Sequence, residues 1–342
     1  MTTIVHLIDD TTAGGVMRVL DLLRTDARLA ASATHRVQTV SRGRLSAPAV
    51  EGADIIVSHL SVSWRSLPML IGLRARYAHL PLLHVEHSYT EAFTALNVKR
   101  TRRFRTLLRT AYSLFDRIVA VSAAQAAWLK DCALADPENV VTIASAVEVA
   151  PFLAVPPVPA RRPGQPHVIG AIGRLDPQKG FDRLIPAFRD TANPDLRLRI
   201  IGDGPERAAL EALAEGDSRI EFAGFVEDPV AAMTGLDAVA MPSRWEAYGL
   251  VALEARAAGR PVLVAPVDGL ADHAAAGAVE VTGNTRSDWT DALDRVTRVT
   301  LPTMTRTAAA RADAAGATAR FAASWAALIA EVMVEEQVAP AA

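Results

Sequence analysis

The feature that most constrains this chain is an alternation. Short runs of apolar, β-branched residues end in turn-forming stretches, and each run is followed by a segment with helical spacing. "TIVHLI" (3–8) runs into "DDTTAGG" and then "VMRVLDLLR", where Val16, Val19, Leu20 and Leu23 share one helical face. The unit recurs at "DIIVSH" (54–59), "PLLHVEH" (81–87) and "DRIVAVS" (116–122), the last followed by "AAQAAWLKDC". Strands this continuously apolar must be covered on both faces, which is the situation of a parallel sheet between two layers of helix.

"APFLAVPPVPARRPGQP" (150–166) interrupts the pattern with six prolines. Proline is excluded from helix interiors and central strands, so an extended interdomain linker is expected over 151–166. The alternation restarts at "HVIGAIG" (167–173) and continues through "LRLRIIG" (196–202), "RIEFAG" (219–224), "DAVAMP" (237–242) and "PVLVAP" (261–266). The chain therefore reads as two doubly wound, Rossmann-like α/β domains, 1–150 and 167–317. Its 342 residues suit two domains of about 150 residues each. The tail places Phe321, Trp325, Leu328 and Val332 at helical spacing, an ordinary packing helix over 318–336, and the terminal "APAA" is expected to fray.

Composition narrows the function classes. The chain is half hydrophobic and carries a net charge of −2, which argues against disorder and against nucleic acid as a partner. A single cysteine, Cys132, excludes an intrachain disulfide and a cysteine-rich metal site. "MTTIVHLIDD" lacks the basic and apolar regions of a secretory signal, and no uninterrupted apolar run reaches the ~18 residues of a spanning helix. The cytoplasm is the expected compartment.

Three strand-end segments carry candidate chemistry. "RIIGDGPERAAL" places Gly202 and Gly204 between a strand and a helix, but Arg207 stands where a dinucleotide fingerprint requires a third glycine. The segment suits either a plain βα turn or a loop that approaches one nucleotide closely. "GRLDPQKGFDRL" supplies Gly173, Arg174, Lys179 and Gly180, with two cations able to converge on one anion or simply to be solvated. "SRWEAYGLVALEA" puts Glu246 before a helix opened by Gly249, and Glu254 inside it. The N–H groups at that helix start suit a phosphate, and two carboxylates beside a phosphate make sense as hydroxyl acceptors. A ligand with hydroxyls on both sides of a diphosphate is a nucleotide sugar. As isolated features, the two glutamates read equally as surface charges.

Together these motifs resemble the retaining glycosyltransferases of the B-type fold, family 4 (glycosyl transferases group 1). The resemblance rests on Gly173-Arg174…Lys179-Gly180, Gly202-Asp203-Gly204-Pro205 and Glu246…Glu254 in that order, with "AGGVMRV" and "DRIVAVSAAQ" in the first half. It implies an α/β fold of two Rossmann-like domains facing a central cleft. The N-terminal domain would bind the acceptor and the C-terminal domain the donor, and the final helix, within 318–342, would cross back onto the N-terminal domain. It implies that Arg174 and Lys179 neutralise the donor diphosphate, that Glu254 holds ribose hydroxyls, and that Glu246 holds donor-sugar hydroxyls. Backbone N–H groups at Tyr248, Gly249 and Leu250 would cap sugar and phosphate. Gly202, Gly204 and the segment at Val226 would border the base, and Gly14 and Gly15 would allow close approach to the donor phosphate or the acceptor. His87 would lie over the donor sugar. A metal cluster of His84, Glu86 and His87 is disfavoured, because residues 84 and 87 of a strand point to opposite faces.

The implied activity is hexosyl transfer from a nucleotide-diphosphate sugar, with uridine the commoner base and guanosine open, to a saccharide or lipid-linked acceptor in bacterial surface polysaccharide or glycolipid synthesis. No cofactor or metal is implied, and the chain has no Asp-x-Asp. Two departures stand out: Ser145-Ala146-Val147-Glu148 where members often have Asn-Gly-Val-Asp, and Asp268-Gly269-Leu270-Ala271-Asp272 in place of a second glycine-rich donor loop. "NVKRTRRFRTLLRTAYSLF" (97–115) interleaves Lys99, Arg100, Arg102, Arg103, Arg105 and Arg109 with apolar residues, which suits an anionic membrane surface at the inner face of the cytoplasmic membrane or a solvated basic face with an apolar core side. The alternatives are a nucleotide-sugar epimerase or hydrolase of the same architecture, and a catalytically silent partner subunit.

Overall fold

A computed structural model describes residues 1–12, 14–156, 158, 164–296 and 301–338. The chain divides into two compact units, Met1–Val147 with Thr318–Ala342, and Glu148–Ala317.

The first unit is built on six parallel strands: β1 (Thr2–Ile8), β2 (Ala33–Thr39), β3 (Ile55–Ser58), β4 (Leu82–Glu86), β5 (Arg117–Ala120) and β6 (Val140–Thr142), in the order β2-β1-β3-β4-β5-β6. Its central strands are buried on both faces, as their unbroken apolar runs require. The helix Thr101–Tyr112 packs Leu107, Leu108, Ala111 and Tyr112 into this core. The helix Ala317–Val338 contributes buried Phe321, Trp325, Leu328 and Val332, and Arg117 at the start of β5 bonds Glu331 (2.8 Å) and Glu335 (2.5 Å) on it.

The second unit repeats the plan with β7 (His167–Ile172), β8 (Leu196–Ile201), β9 (Ile220–Gly224), β10 (Ala238–Met241), β11 (Val262–Val264) and β12 (Val279–Glu280), again all parallel, in the order β12-β11-β10-β7-β8-β9. Chain order reverses between β7 and β10. In open α/β sheets ligands bind beyond the carboxyl ends of the strands at such a reversal.

The loops at that end are locked by backbone contacts. Gly202, directly after β8, has φ 140°, and a Cβ there would lie 1.9 Å from the Gly173 carbonyl oxygen after β7. Gly180 has φ 68°, and a Cβ there would lie 2.2 Å from the Pro242 carbonyl oxygen after β10. Neither obstacle is a side chain that can swing aside. Glycine at these positions lets the loops after β7, β8 and β10 touch.

The structure corrects three expectations. Strands β2, β6 and β12 were not predicted. β2 alternates buried and exposed positions, and the other two are only three and two residues long. Within the expected extended linker, Ala150–Leu153 forms one helical turn with Phe152 buried. Pro151 occupies its first turn, where no N–H is needed. Glu148 accepts from the Ala150 N–H (2.9 Å) just ahead of that turn. Residues 157 and 159–163 of that linker lie outside the described residues. Finally, residues 304–335 are long and apolar enough to span a membrane by length and composition alone. Their buried apolar residues pack inside the protein, and Gly316 separates two helices there.

Two measurements test this description. Gly216 has φ 72°, and a Cβ there would meet nothing within 4 Å among the described residues, so Gly216→Ala should cost about 1 kcal/mol from the left-handed backbone alone. Gly202→Ala adds a forced backbone shift and should cost about 3 kcal/mol or more in urea unfolding. Equal losses would contradict the close-contact assignment. Acid should also destabilise the first unit. Burial pushes His6 and His59 well below 6.5, and His35 and His87 down to about 4. These rings stay neutral in the fold while the unfolded chain takes up protons. Their contribution is therefore complete above about pH 6.5 and falls by about 1.4 kcal/mol per pH unit per imidazole below it. The urea midpoint should drop clearly between pH 7.5 and pH 5, and an unchanged midpoint would contradict the burial of neutral imidazoles.

Candidate functional site

In the second unit, the candidate residues form one continuous surface at the β7/β10 reversal. After β7, Asp176 caps the short turn Pro177–Lys179 by accepting from the Gln178 N–H (3.1 Å). The turn aims Lys179 back across Gly173, with its Cε 3.3 Å from where a Gly173 Cβ would be. Lys179 Nζ then donates to Glu246 Oε2 at 2.6 Å, and both side chains are mostly buried. Glu246 in turn lies beside Gly249, its Cγ 3.3 Å from a Cβ built there. Gly249, with φ 97°, opens the helix Leu250–Ala257.

The loop carrying Glu246 is held from several sides. Arg244 makes a bidentate pair with Asp182 (2.8 and 2.6 Å) and donates to the Pro177 carbonyl (2.7 Å). The Arg244 N–H bonds the Gln178 carbonyl (2.7 Å), and Gln178 Nε2 bonds the Trp245 carbonyl (3.1 Å). Asp268 accepts from the Glu246 N–H (3.2 Å), and Gly269 N–H donates to the Glu246 carbonyl (3.0 Å). A Cβ at Gly269 would strike the Ala247 carbonyl at 2.2 Å. The segment 268–272, which the sequence marked as a departure, thus braces the Glu246 loop. Asp268, Arg244 and Asp182 were missed because the sequence offers only their types. The one available signal was an Asp-Gly pair after a strand.

Of the remaining donor-type residues, Arg174, Gly202, Gly204 and Val226 belong to the loops after β7, β8 and β9, whereas Glu254 is buried in its helix. Arg174 is largely exposed, with its Nε 3.8 Å from Asp176. Gly202 and Gly204 pack on the 173–175 loop, and the Leu175 N–H bonds the Asp203 carbonyl (2.9 Å). Gly202 N–H bonds the Gly224 carbonyl (2.8 Å), which brings the Phe225–Val226 segment alongside. Glu254 lies in the second turn of its helix and is 1% exposed. Tyr248 packs against His273 with ring centroids 4.6 Å apart and planes tilted by 54°. Burial, and then the Arg256 guanidinium at 3.1 Å, hold His273 down to about 3, so it is a neutral acceptor for Arg256. Arg256 also pairs with Asp313, which ties the helix into its unit. The site can therefore present an exposed cation at Arg174, a paired Lys179 and Glu246, and the N–H groups of a helix start.

In the first unit, Gly14 precedes the helix Gly15–Thr25 in extended conformation, so two glycines stand at the helix start after β1. His87 follows β4 and bonds His59 (2.8 Å). His84 and Glu86 are buried, with Tyr112 donating to Glu86 at 2.6 Å and the Ser88 and Tyr89 N–H groups at 2.7 and 2.9 Å. The 97–115 segment is only partly a free basic face. Leu107, Leu108, Ala111, Tyr112 and Phe115 are core, Arg109 bonds the Ala133 and Cys132 carbonyls (2.8 and 3.0 Å), and the Arg105 Nε is buried. Lys99, Arg100, Arg102 and Arg103 remain exposed, and Arg103 stacks on Trp64 (5.2 Å).

Comparison with known proteins gives the family and the fold. Residues 166–299 match the family model of the glycosyl transferases group 1, and residues 19–150 match that of Glycosyltransferase Family 4. The D-inositol 3-phosphate glycosyltransferase of Nocardia farcinica is 32% identical over 203 residues, 52% of this chain and 44% of that protein. The 2-deoxystreptamine glucosyltransferase of Streptomyces kanamyceticus is 40% identical over 112 residues, 31% of this chain and 29% of that protein. The chain thus spans less than half the length of these two relatives. Anabaena HepE, crystallised in complex with UDP, superposes with a TM-score of 0.73 at 19% identity, covering 98% of this chain and 100% of that one. The two family models together take in most of the chain, and with the two parallel six-stranded sheets they show that it belongs to the family 4 glycosyltransferases of the B-type fold.

Proposed function

We propose that this protein is a retaining, metal-independent glycosyltransferase that moves a sugar from a nucleotide-diphosphate donor, of which a UDP-sugar fits best, to a hydroxyl of a saccharide or lipid-linked acceptor. The observation that carries the reading is the contiguity of Gly202, Gly173, Lys179, Glu246 and the helix start at Gly249. Cleaving the anomeric C–O bond places negative charge on the leaving diphosphate and positive charge on the ring. Arg174, Lys179 and the helix N-terminus are arranged to stabilise the first. The acceptor oxygen bonds the anomeric carbon on the face the diphosphate leaves, so configuration is kept, and its proton passes to the departing phosphate. Arginine and lysine then do the work a divalent ion does in other diphosphate sites. UDP in the HepE crystal structure, and the two relatives named for polyhydroxylated ring compounds, support a UDP donor and a polyol acceptor. The exposed cations Lys99, Arg100, Arg102 and Arg103 suit an acceptor at an anionic membrane surface, at about 1 kcal/mol each.

The Lys179–Glu246 pair sharpens the division of labour. A diphosphate must draw Lys179 partly away from Glu246. Glu246→Gln removes that competitor, so UDP affinity should hold or rise while sugar transfer falls by a hundredfold or more. Glu254→Gln should weaken UDP binding about tenfold, the loss of one charge-assisted hydrogen bond. A thermal-shift and transfer screen of UDP-, GDP- and ADP-sugars, followed by calorimetry on both variants, tests this. Equal loss of UDP affinity in the two variants would sink the assignment. Conversion of the donor to an epimer without acceptor would favour an epimerase instead.

A further inference from the structure

Four of the eight histidines form a single hydrogen-bonded row across the first sheet. His35 lies in β2, His6 in β1, His59 directly after β3 and His87 directly after β4, and the sheet order β2-β1-β3-β4 makes these strands successive neighbours. His35 Nδ1 meets His6 Nε2 at 2.9 Å, His6 Nδ1 meets His59 Nε2 at 2.9 Å, and His59 Nδ1 meets His87 Nε2 at 2.8 Å. Neighbouring ring centroids are 5.1–5.2 Å apart, and the Trp325 ring closes edge-on over His6. His6 is fully buried, and His35 and His59 are each 9% exposed.

Every link joins the Nδ1 of one ring to the Nε2 of the next. Burial keeps the rings uncharged near neutral pH, so each carries one N–H. Three links then admit only two arrangements. All four rings carry the proton on Nδ1 and donate towards His87, or all carry it on Nε2 and donate towards His35. A mixed row would set two donors or two lone pairs against each other. The end of the row decides. His35 Nε2 is buried with no hydrogen-bond partner among the described residues. A buried N–H without an acceptor is the rarer and costlier orphan, and an unused lone pair is better tolerated. The His35 proton therefore belongs on Nδ1.

We propose that His35, His6 and His59 are positioning residues that lock His87 in its Nδ1–H tautomer, so that the end of β4 presents a fixed, neutral N–H donor. Under the glycosyltransferase reading, on which this role rests, the His87 N–H is a hydrogen-bond donor ready for a substrate oxygen. The tautomer assignment itself is independent of that reading and is measurable without any substrate.

Long-range proton–nitrogen correlation spectra of the ¹⁵N-histidine-labelled protein at pH 7.5 test it. The expected result is four neutral rings with the protonated-type signal at Nδ1 and the unprotonated type at Nε2. A mixed set of tautomers, or His87 as Nε2–H, would overturn the proposal. His59→Phe removes the donor to His87 and should release its tautomer to Nε2–H or to an averaged signal. His59→Asn retains an N–H close to the Nδ1 position and should restore Nδ1–H at His87. Identical His87 spectra in the Phe and Asn variants would also overturn it. Should the Phe variant fail to fold, the wild-type spectrum still decides. If the labelled protein shows the expected tautomers and yet transfers no sugar, the glycosyltransferase reading fails and the relay stands.

Discussion

The site in the second unit depends on one contact, the face of Gly202 pressed against the Gly173 carbonyl. It brings the ends of β7 and β8 close enough for the 173–175 and 202–204 backbones to bond each other. Gly180 against the Pro242 carbonyl does the same for β7 and β10. With the loops so fixed, Lys179 has a defined path over Gly173 to Glu246, and Glu246 is delivered beside the helix opened by Gly249. The charges follow from the backbone. A Cβ at either glycine would separate the cations from the carboxylate without altering a single polar residue.

The first unit reaches order by another route. Its neighbouring strands β2, β1, β3 and β4 are linked by imidazoles, which both donate and accept. Burial suppresses their charge, so a row of four can be continuous without any charge to neutralise. Strand order is what makes the row possible. In a β1-β2-β3-β4 sheet, His6 and His59 would not be neighbours.

Much of this was legible in the sequence, because the central strands are continuous apolar runs and the motif glycines sit at their ends. What was not legible shares a cause. β2, β6 and β12 lie at or beside sheet edges, where short length or a half-polar pattern leaves little periodic signal. The basic helix left a membrane surface and a core-facing apolar side both open, and Leu107, Leu108 and Tyr112 take the second. Glu246 and Lys179 were assigned to different parts of a ligand, and their mutual ion pair depends on a loop path that spacing does not encode. The histidine row was hidden because residues 6, 35, 59 and 87 acquire a relation only through sheet order.

The central claim is that protein cations and a helix start bind the donor diphosphate without a metal. Calorimetry of UDP against uridine in the presence of a chelator tests it most directly, on the wild type and on an Arg174→Ala, Lys179→Ala double variant. The account predicts that the wild type binds UDP about a hundredfold more tightly than uridine, equivalent to about 2.7 kcal/mol. The gap should shrink below about tenfold in the variant, with uridine affinity unchanged. A gap that survives both substitutions, or one that appears only when divalent cations are restored, would contradict it.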